Sequence, residues 1–337
     1  MTNHSEEPSP ALFMQTVSGF QRTAALKVAV DLDVFTTIGE GKKTVHEVAD
    51  HCATSERGMR ILLDSLTIIG FINKNNNKYS LTVDSSMFLD KRSSLFLGGT
   101  LKFLLSPPLM DGIKDLTNAV IKGGTVLDEG GTTAKEHPEW TTFARAMVPL
   151  MTDIAQWIAK NVKLTSENPG KVLDVAAGHG HFGVEIAKVC PLVNVVAIDW
   201  PNVLKVAQET AQAAGVSDRY KLLPGSVFEI EIGENYDLVL LSNFLHHFDK
   251  PTCESLLKKI HSSLADDGRV VTVEFVPNDD RISPISAEFA LLMLATTPEG
   301  DAYTFTEYDR MFHNVGFSRS EIYSIPKSSE HVIVSYK

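Results

Sequence analysis

Val172-Leu-Asp-Val-Ala-Ala-Gly-His-Gly-His-Phe-Gly183 decides the reading of this chain. An apolar β-type run leads directly into Gly178-x-Gly180-x-x-Gly183, and a helical pattern follows. Glycines let the backbone turn tightly and approach a ligand, while the helix N-terminus behind them offers free N–H groups. The spacing alone serves NAD, FAD and S-adenosylmethionine equally. Asp174, inside the strand ahead of the first glycine, narrows the choice. A carboxylate there repels a pyrophosphate but accepts hydrogen bonds from an amino-acid ammonium. Asp199 closes the next β-type run, where an acid accepts from the two hydroxyls of a ribose. With a different domain ahead of the motif and a hairpin after it, S-adenosylmethionine is favoured over a dinucleotide.

Working outward from the motif, β-type runs recur at Lys171–Ala176, Asn194–Asp199, Tyr220–Leu223, Tyr236–Ser242 and Arg269–Phe275. Helical patterns lie between them, near 182–189, 202–214 and 252–264. Alternation of this kind predicts a parallel sheet with helices on both faces, its strand-end loops gathered along one ligand-binding edge. Ser318–Ser324 and His331–Tyr336 read as an antiparallel hairpin added to that sheet. The fold class is therefore α/β, a Rossmann-like seven-stranded sheet ending in a hairpin.

The first half differs. Thr23–Ile38 carries apolar residues at helical spacing, Thr44 and Glu47 form a capping box, and Ser55 opens a helix that Gly70 ends. Phe71–Asn73 and Lys78–Leu81 then flank a polar turn. Two short helices and a hairpin make a winged-helix pattern, which elsewhere can bind DNA. The second of those helices, however, contributes only Arg57 and Arg60. The polar stretch from Leu164 to Gly170, ending in Pro169-Gly170, marks a boundary. The expected organisation is a winged-helix-like domain over 11–100, a helical linker over 101–165 and a cofactor-binding domain over 166–337.

Composition agrees. The 337 residues are 43% hydrophobic and carry a net charge of −11, which suits a globular protein and disfavours nucleic-acid binding. Cys52, Cys190 and Cys253 are too scattered for a disulfide framework or a cysteine zinc site, and no metal is expected. The N-terminus lacks the pattern of a signal peptide, and no apolar run is long enough to span a membrane. The expected location is the cytoplasm.

With its glycine loop, Asp199-Trp-Pro-Asn-Val-Leu204 and Gly225-Ser-Val-Phe228, the region 171–337 resembles the class I S-adenosylmethionine-dependent methyltransferases. Residues 10–337 together resemble the small-molecule O-methyltransferases, the family of the caffeic acid and acetylserotonin enzymes and many bacterial natural-product enzymes. The resemblance implies a homodimer formed through the N-terminal domain, which also helps to close the partner's pocket. It implies S-adenosyl-L-methionine as cofactor and S-adenosyl-L-homocysteine as product. Asp174 and Gly178 would meet the amino-acid end, Gly180 and Gly183 would shape the loop, Asp199 would hold the ribose and Trp200 would pack near the adenine. Ser226 and Val227 stand where the family usually has Asp-Met, and Asn243 is also assigned to the cofactor.

The fourth β-type run ends in Leu241-Ser-Asn-Phe-Leu-His-His-Phe-Asp249, which brings two histidines to the ligand edge. The resemblance puts His246 at the position of the general base, with Glu274 beside it and His247 where plant enzymes carry Asp. The second flanking Glu of those enzymes falls on Ala302, next to Asp301. Phe143, Met147 and Met151 recur at i, i+4, i+8 on one helix face, a stripe that suits either a core or a pocket wall. In the family this helix covers the methyl acceptor; Met293, Thr297 and His247 complete the substrate-side set. The expected activity is methyl transfer to a hydroxyl of a small, aromatic metabolite. N- or C-methylation on the same scaffold, as of a 2-oxo acid, and a non-catalytic cofactor-binding regulator are the alternatives.

Overall fold

The computed structural model describes residues 8–41, 44–136, 139–162, 170–326 and 328–337. The chain falls into two compact units, Met1–Leu101 and Lys102–Lys337. Apart from Gly170, the polar joint expected at Leu164–Gly170 lies outside the described residues.

The first unit contains α1 (Ala11–Val17), α2 (Gly19–Asp31), α3 (Val34–Gly39), α4 (Val45–His51), α5 (Glu56–Ile69), β1 (Ile72–Asn75), β2 (Lys78–Leu81) and α6 (Val83–Phe88). The helical pattern over Thr23–Ile38 is two helices rather than one. Asp33 adopts the left-handed conformation at φ 58°, which Asp tolerates better than most residues, and the turn lets Val34, Phe35 and Ile38 all reach the core. The capping box forms: Thr44 Oγ1 accepts from the Glu47 amide at 3.2 Å, and Glu47 Oε2 accepts from the Thr44 amide at 2.9 Å. Gly70 ends α5 at φ 99°. Asn76 and Asn77, both at positive φ, make the tight turn between β1 and β2. Met59, Leu63 and Leu66 of α5 pack with Phe35, Val48 and Tyr79 into this unit's core.

Short α7 (Leu101–Leu104) leads into the second unit. There, α8 (Pro107–Lys114), α9 (Leu116–Lys122) and the 23-residue α10 (Glu139–Asn161) precede β3 (Lys171–Val175), α11 (His181–Val189), β4 (Asn194–Asp199) and α12 (Pro201–Ala213). Then follow β5 (Tyr220–Pro224), β6 (Tyr236–Ser242), α13 (Lys250–Ser263), β7 (Leu264–Glu274), α14 (Phe289–Thr296), α15 (Phe305–Asn314), β8 (Arg319–Ser324) and β9 (His331–Tyr336).

These strands build one seven-stranded sheet in the order β5-β4-β3-β6-β7-β9-β8. The first five are parallel; β9 runs antiparallel to β7, and β8 antiparallel to β9. One face packs on α10, α11 and α12 through Val172, Leu238, Leu240, Val271 and Val273. The other packs on α13 and α15 through Leu173, Val239, Leu241 and Val270. From β3 the chain winds outward to β4 and β5, then returns to place β6 on the other side of β3. That reversal opens a crevice above the C-terminal ends of β3 and β6, where sheets of this kind take ligands.

Candidate active site

The loop from β3 into α11 is shaped by positive φ values at Ala176 (51°), Gly178 (57°) and Gly180 (70°). Its glycines do different work. A Cβ on Gly178 would find only Ala176 O, 3.8 Å away, so the backbone there is open to a ligand. A Cβ on Gly180 would come within 2.7 Å of the Tyr220 hydroxyl and 2.9 Å of Ala207 Cβ. On Gly183 it would meet Val195 Cγ1 at 2.8 Å and Asp174 Oδ2 at 2.9 Å. Gly180 and Gly183 therefore let the loop and helix sit down on the sheet, while Gly178 faces the crevice.

Asp174 is 1% exposed. Its Oδ2 accepts from the Gly183 amide at 3.2 Å, and its Oδ1 is buried with no protein partner. Burial, more than the nearby Asp199 charge, pushes its ionisation up to about 8. A carboxylate oxygen so placed suits a cationic ligand group, which would supply both the hydrogen bond and the charge it lacks. At the end of β4, Asp199 Oδ2 accepts from the Gly178 amide at 2.8 Å and Oδ1 from the Trp200 amide at 2.7 Å. Burial pushes this acid up to about 6. Each oxygen keeps a further lone pair for a hydroxyl donor.

A cavity of about 290 Å³ lies above these strand ends. Gly178, Asp199, Trp200, Ser226 and Val227 line it, and so do Phe143 and His247. Asp174, Gly180 and Gly183 support the loop from behind. Asn243, at φ 52°, points its amide at Met151, with Nδ2 3.5 Å from Sδ. The Phe143-Met147-Met151 stripe divides: Phe143 reaches the cavity, whereas Met147 and Met151 pack into the core against the sheet. Met293 is buried on α14. Thr297 donates to Met293 O at 2.7 Å, accepts from the Gly300 amide at 2.9 Å and borders a separate groove.

Glu274, at the end of β7, is wholly buried beside the turn after β6. Its Oε1 accepts from the amides of Phe244 (3.2 Å), Leu245 (2.9 Å) and His246 (3.4 Å). Its Oε2 lies 2.5 Å from His246 Nδ1. A proton on Nδ1 fixes the tautomer that leaves Nε2 as the basic nitrogen. Burial opposes either charge alone, pushing His246 down to about 3 and Glu274 up to about 8; the three amides work against that rise. Asp301 does not flank this ring: its carboxylate pairs with Arg281 at 3.3 Å, and only its amide meets the loop, donating to His246 O at 3.0 Å.

His247, whose ring centroid is 4.3 Å from that of His246, is the histidine that lines the cavity. Its Nδ1 is buried without a protein partner, and burial holds the ring neutral. Trp140 stands edge-on to it at 5.3 Å and to Phe143 at 5.5 Å. Phe228, Phe244 and Phe248 cluster on the same wall. Sequence reasoning passed over Trp140, although its place one turn before Phe143 on α10 carried the signal. It also missed Lys259, whose Nζ donates to Val227 O at 2.8 Å and Ile230 O at 2.6 Å and so pins the loop holding Ser226. Among the described residues, no three His, Cys, Asp or Glu side chains are grouped to hold a metal ion, and no helix is long and apolar enough to cross a membrane.

Comparison with known proteins bears on this geometry. Residues 115–318 match the family model of the O-methyltransferase domain, and residues 14–91 that of the O-methyltransferase dimerisation domain. The chain is 24% identical to 3-hydroxy-5-methyl-1-naphthoate 3-O-methyltransferase of Streptomyces sahachiroi, over 92% of this chain and 90% of that one. It is 30% identical to 3-amino-4-hydroxybenzoate 4-O-methyltransferase of Streptomyces cremeus, over 57% of this chain and 52% of the other. The structure of a candidate O-methyltransferase from Nostoc punctiforme superposes with a TM-score of 0.94 at 51% identity, over 98% of this chain and 100% of that one. Human N-acetylserotonin methyltransferase, solved with S-adenosylmethionine, shares the fold at a TM-score of 0.84 and 22% identity, over 100% and 99% of the two chains.

Proposed function

From the premise that this chain belongs to the O-methyltransferase family and is an S-adenosyl-L-methionine-dependent O-methyltransferase, we propose that it methylates a hydroxyl of a small aromatic metabolite with His246 as general base. The observation that carries the reading is the Glu274–His246 pair, with its 2.5 Å contact at Nδ1. A phenol ionises near pH 10, so a base that takes its proton during the reaction raises the rate. His246 Nε2 is the nitrogen left to do so. Glu274 holds the ring and balances the imidazolium that forms.

The residues present fit the methyl donor. The unpartnered Asp174 Oδ1 suits its ammonium, Asp199 its ribose hydroxyls, and the open backbone at Gly178 admits it closely. Trp200, Ser226 and Val227 would enclose its adenine. When bound, the donor supplies a methyl group activated by positively charged sulfur. The protein's part is to align the acceptor, remove its proton and exclude water. Trp140, Phe143, Phe244 and Phe248 line the cavity with aromatic rings, which suits a planar, aromatic acceptor.

The same reading makes the N-terminal unit a homodimerisation domain. Leu12, Phe13, Met14, Val17 and Phe20 are exposed on α1 and α2, an apolar run that a second copy would cover. Residues 101–165 are assigned to the acceptor side, because α10 supplies Trp140 and Phe143. Phenols, catechols and 2-oxo acids offered with methyl-labelled donor test the acceptor class, and label on a phenolic oxygen is expected. In the same assay His246→Ala should lower turnover by roughly a hundredfold or more while donor affinity stays within about threefold. Undiminished turnover in that variant removes the base assignment.

A further inference from the structure

Glu330 is a buried acid that no step above uses. It is 3% exposed, its Oε2 is buried without a partner, and its amide donates to Ser328 Oγ at 3.0 Å. It enters β9 just ahead of His331, which pairs in register with Glu274 on β7. On the other side of β7, the Asn243 amide continues the β6–β7 ladder by donating to Val273 O at 2.8 Å. Three adjacent strand ends thus bring Asn243, Glu274 and Glu330 together. The Asn243 side chain lies against the Glu330 carboxyl, and its own Oδ1 is buried with no partner.

The Asn243 amide N–H donates to the Glu330 carboxyl, yet Glu330 Oε2 and Asn243 Oδ1 are each buried without a donor. Protonation of Glu330 supplies that donor. A carboxylic acid and a primary amide satisfy each other at two points, the acid O–H giving to the amide oxygen and the amide N–H giving to the acid carbonyl. Asn243 immediately precedes Phe244, the first of the three amides that hold Glu274, and the same turn carries His246.

We propose that Glu330 is a positioning residue: as the un-ionised acid it pairs with the Asn243 amide and fixes the turn that presents His246 and holds Glu274. The inference rests on the reading of His246 as base. The charged group that acts on Glu330 is Glu274 on β7; His331 follows it on its own strand, and the Asn243 side chain that meets its carboxyl is neutral. Burial first, then the charge on Glu274, push Glu330 upward, to about 8, against the hydrogen bond from the Asn243 side chain, which favours the carboxylate. Neutral pH then finds Glu330 protonated, and alkaline solution breaks the pairing.

The test is a pH titration of the full-length, donor-free protein with 15N-labelled histidine, comparing wild type with Glu330→Gln. Glutamine keeps the two-point pairing with Asn243 but cannot ionise. The His246 ring signals should report two ionisations in the wild type, that of Glu274 and that of Glu330. In Glu330→Gln the Glu330 transition should be gone and the Glu274 transition retained. Glu330→Ala, which removes the pairing, should broaden or double the His246 signals at neutral pH. Should it fail to fold, the glutamine variant decides alone. Identical titrations in wild type and Glu330→Gln overturn the proposal. Turnover of His246→Ala separates the two readings: activity kept there removes the base and this inference with it, whereas activity lost there with an unmoved Glu330→Gln titration removes only the role of Glu330.

Discussion

Glu274 Oε2 and His246 Nδ1 are 2.5 Å apart inside the protein, and the other oxygen of the same carboxylate is held by three consecutive backbone amides. The carboxylate is thus fixed before it fixes the histidine. Orientation of the ring depends on one acid anchored to the turn that carries the ring, without a second acid on the Ala302 side.

The pH profile follows from this pair. Its basic form has Glu274 ionised, one proton on Nδ1 and none on Nε2. Burial raises Glu274 to about 8, so the basic form grows as pH rises through that value. Turnover at saturating donor should therefore climb between pH 7 and 9. Glu274→Gln should lower kcat by roughly a hundredfold, because an amide neither balances an imidazolium nor gains charge with pH. A wild-type rate that is flat over this interval contradicts the assignment.

Asp174 should make stability fall with pH in the donor-free protein. Its folded-state ionisation lies near 8, well above that of an unfolded aspartate near 4, so the folded chain holds a proton that the unfolded chain releases. The contribution is present below the unfolded value and lost as pH rises toward the folded one. The Tm of Asp174→Asn should decline less than that of wild type between pH 5 and 8. Saturating S-adenosyl-L-homocysteine, which carries the ammonium, should flatten the wild-type decline. Parallel Tm curves for the two proteins exclude this role.

Two glycines two residues apart should fail differently. Gly180→Ala adds a Cβ at φ 70° within 2.7 Å of the Tyr220 hydroxyl and should cost roughly 2–4 kcal/mol of stability. Gly178→Ala has room in the protein and should cost about 1–2 kcal/mol. Because its methyl would stand where the ligand approaches, donor affinity should nevertheless fall at least tenfold. Thermal melts and calorimetric titration with the donor measure both; equal melting losses would show that the loop does not rest on Tyr220 and Ala207.

Lys259→Met should weaken donor binding by about tenfold and leave kcat at saturating donor unchanged. Its ammonium holds two carbonyls of the loop carrying Ser226 and Val227, and hydrogen bonds from a charged group contribute about 1.5–3 kcal/mol. A fall in kcat with unaltered affinity would place its effect elsewhere.

The parts legible in sequence are those with local physical causes. The glycine spacing, the apolar runs and the Thr44–Glu47 box each form where their pattern predicts, because each is settled by neighbours a few residues away. Where tertiary packing decides, the pattern alone is not enough. Apolar spacing runs unbroken through Asp33, but the chain turns there to bury both sides of the break. Met151 has the same helical phase as Phe143, yet lies two turns deeper under the sheet and becomes core. His246 and His247 are neighbours in sequence; only the β6–β7 turn decides that one meets Glu274 and the other the cavity. Glu330 gave no local signal, since its neighbours are brought together by strand order alone.

That strand order has a consequence for synthesis. β9 lies between β7 and β8, so β7 keeps an unpaired edge until the chain beyond β8 has emerged and inserted. The strand that delivers Glu274 is therefore among the last to be closed in. A chain stalled between α15 and β9 would present a long apolar edge, the kind of surface through which nascent proteins pair wrongly. The acid of the site and the weak point of the newly made chain share one strand.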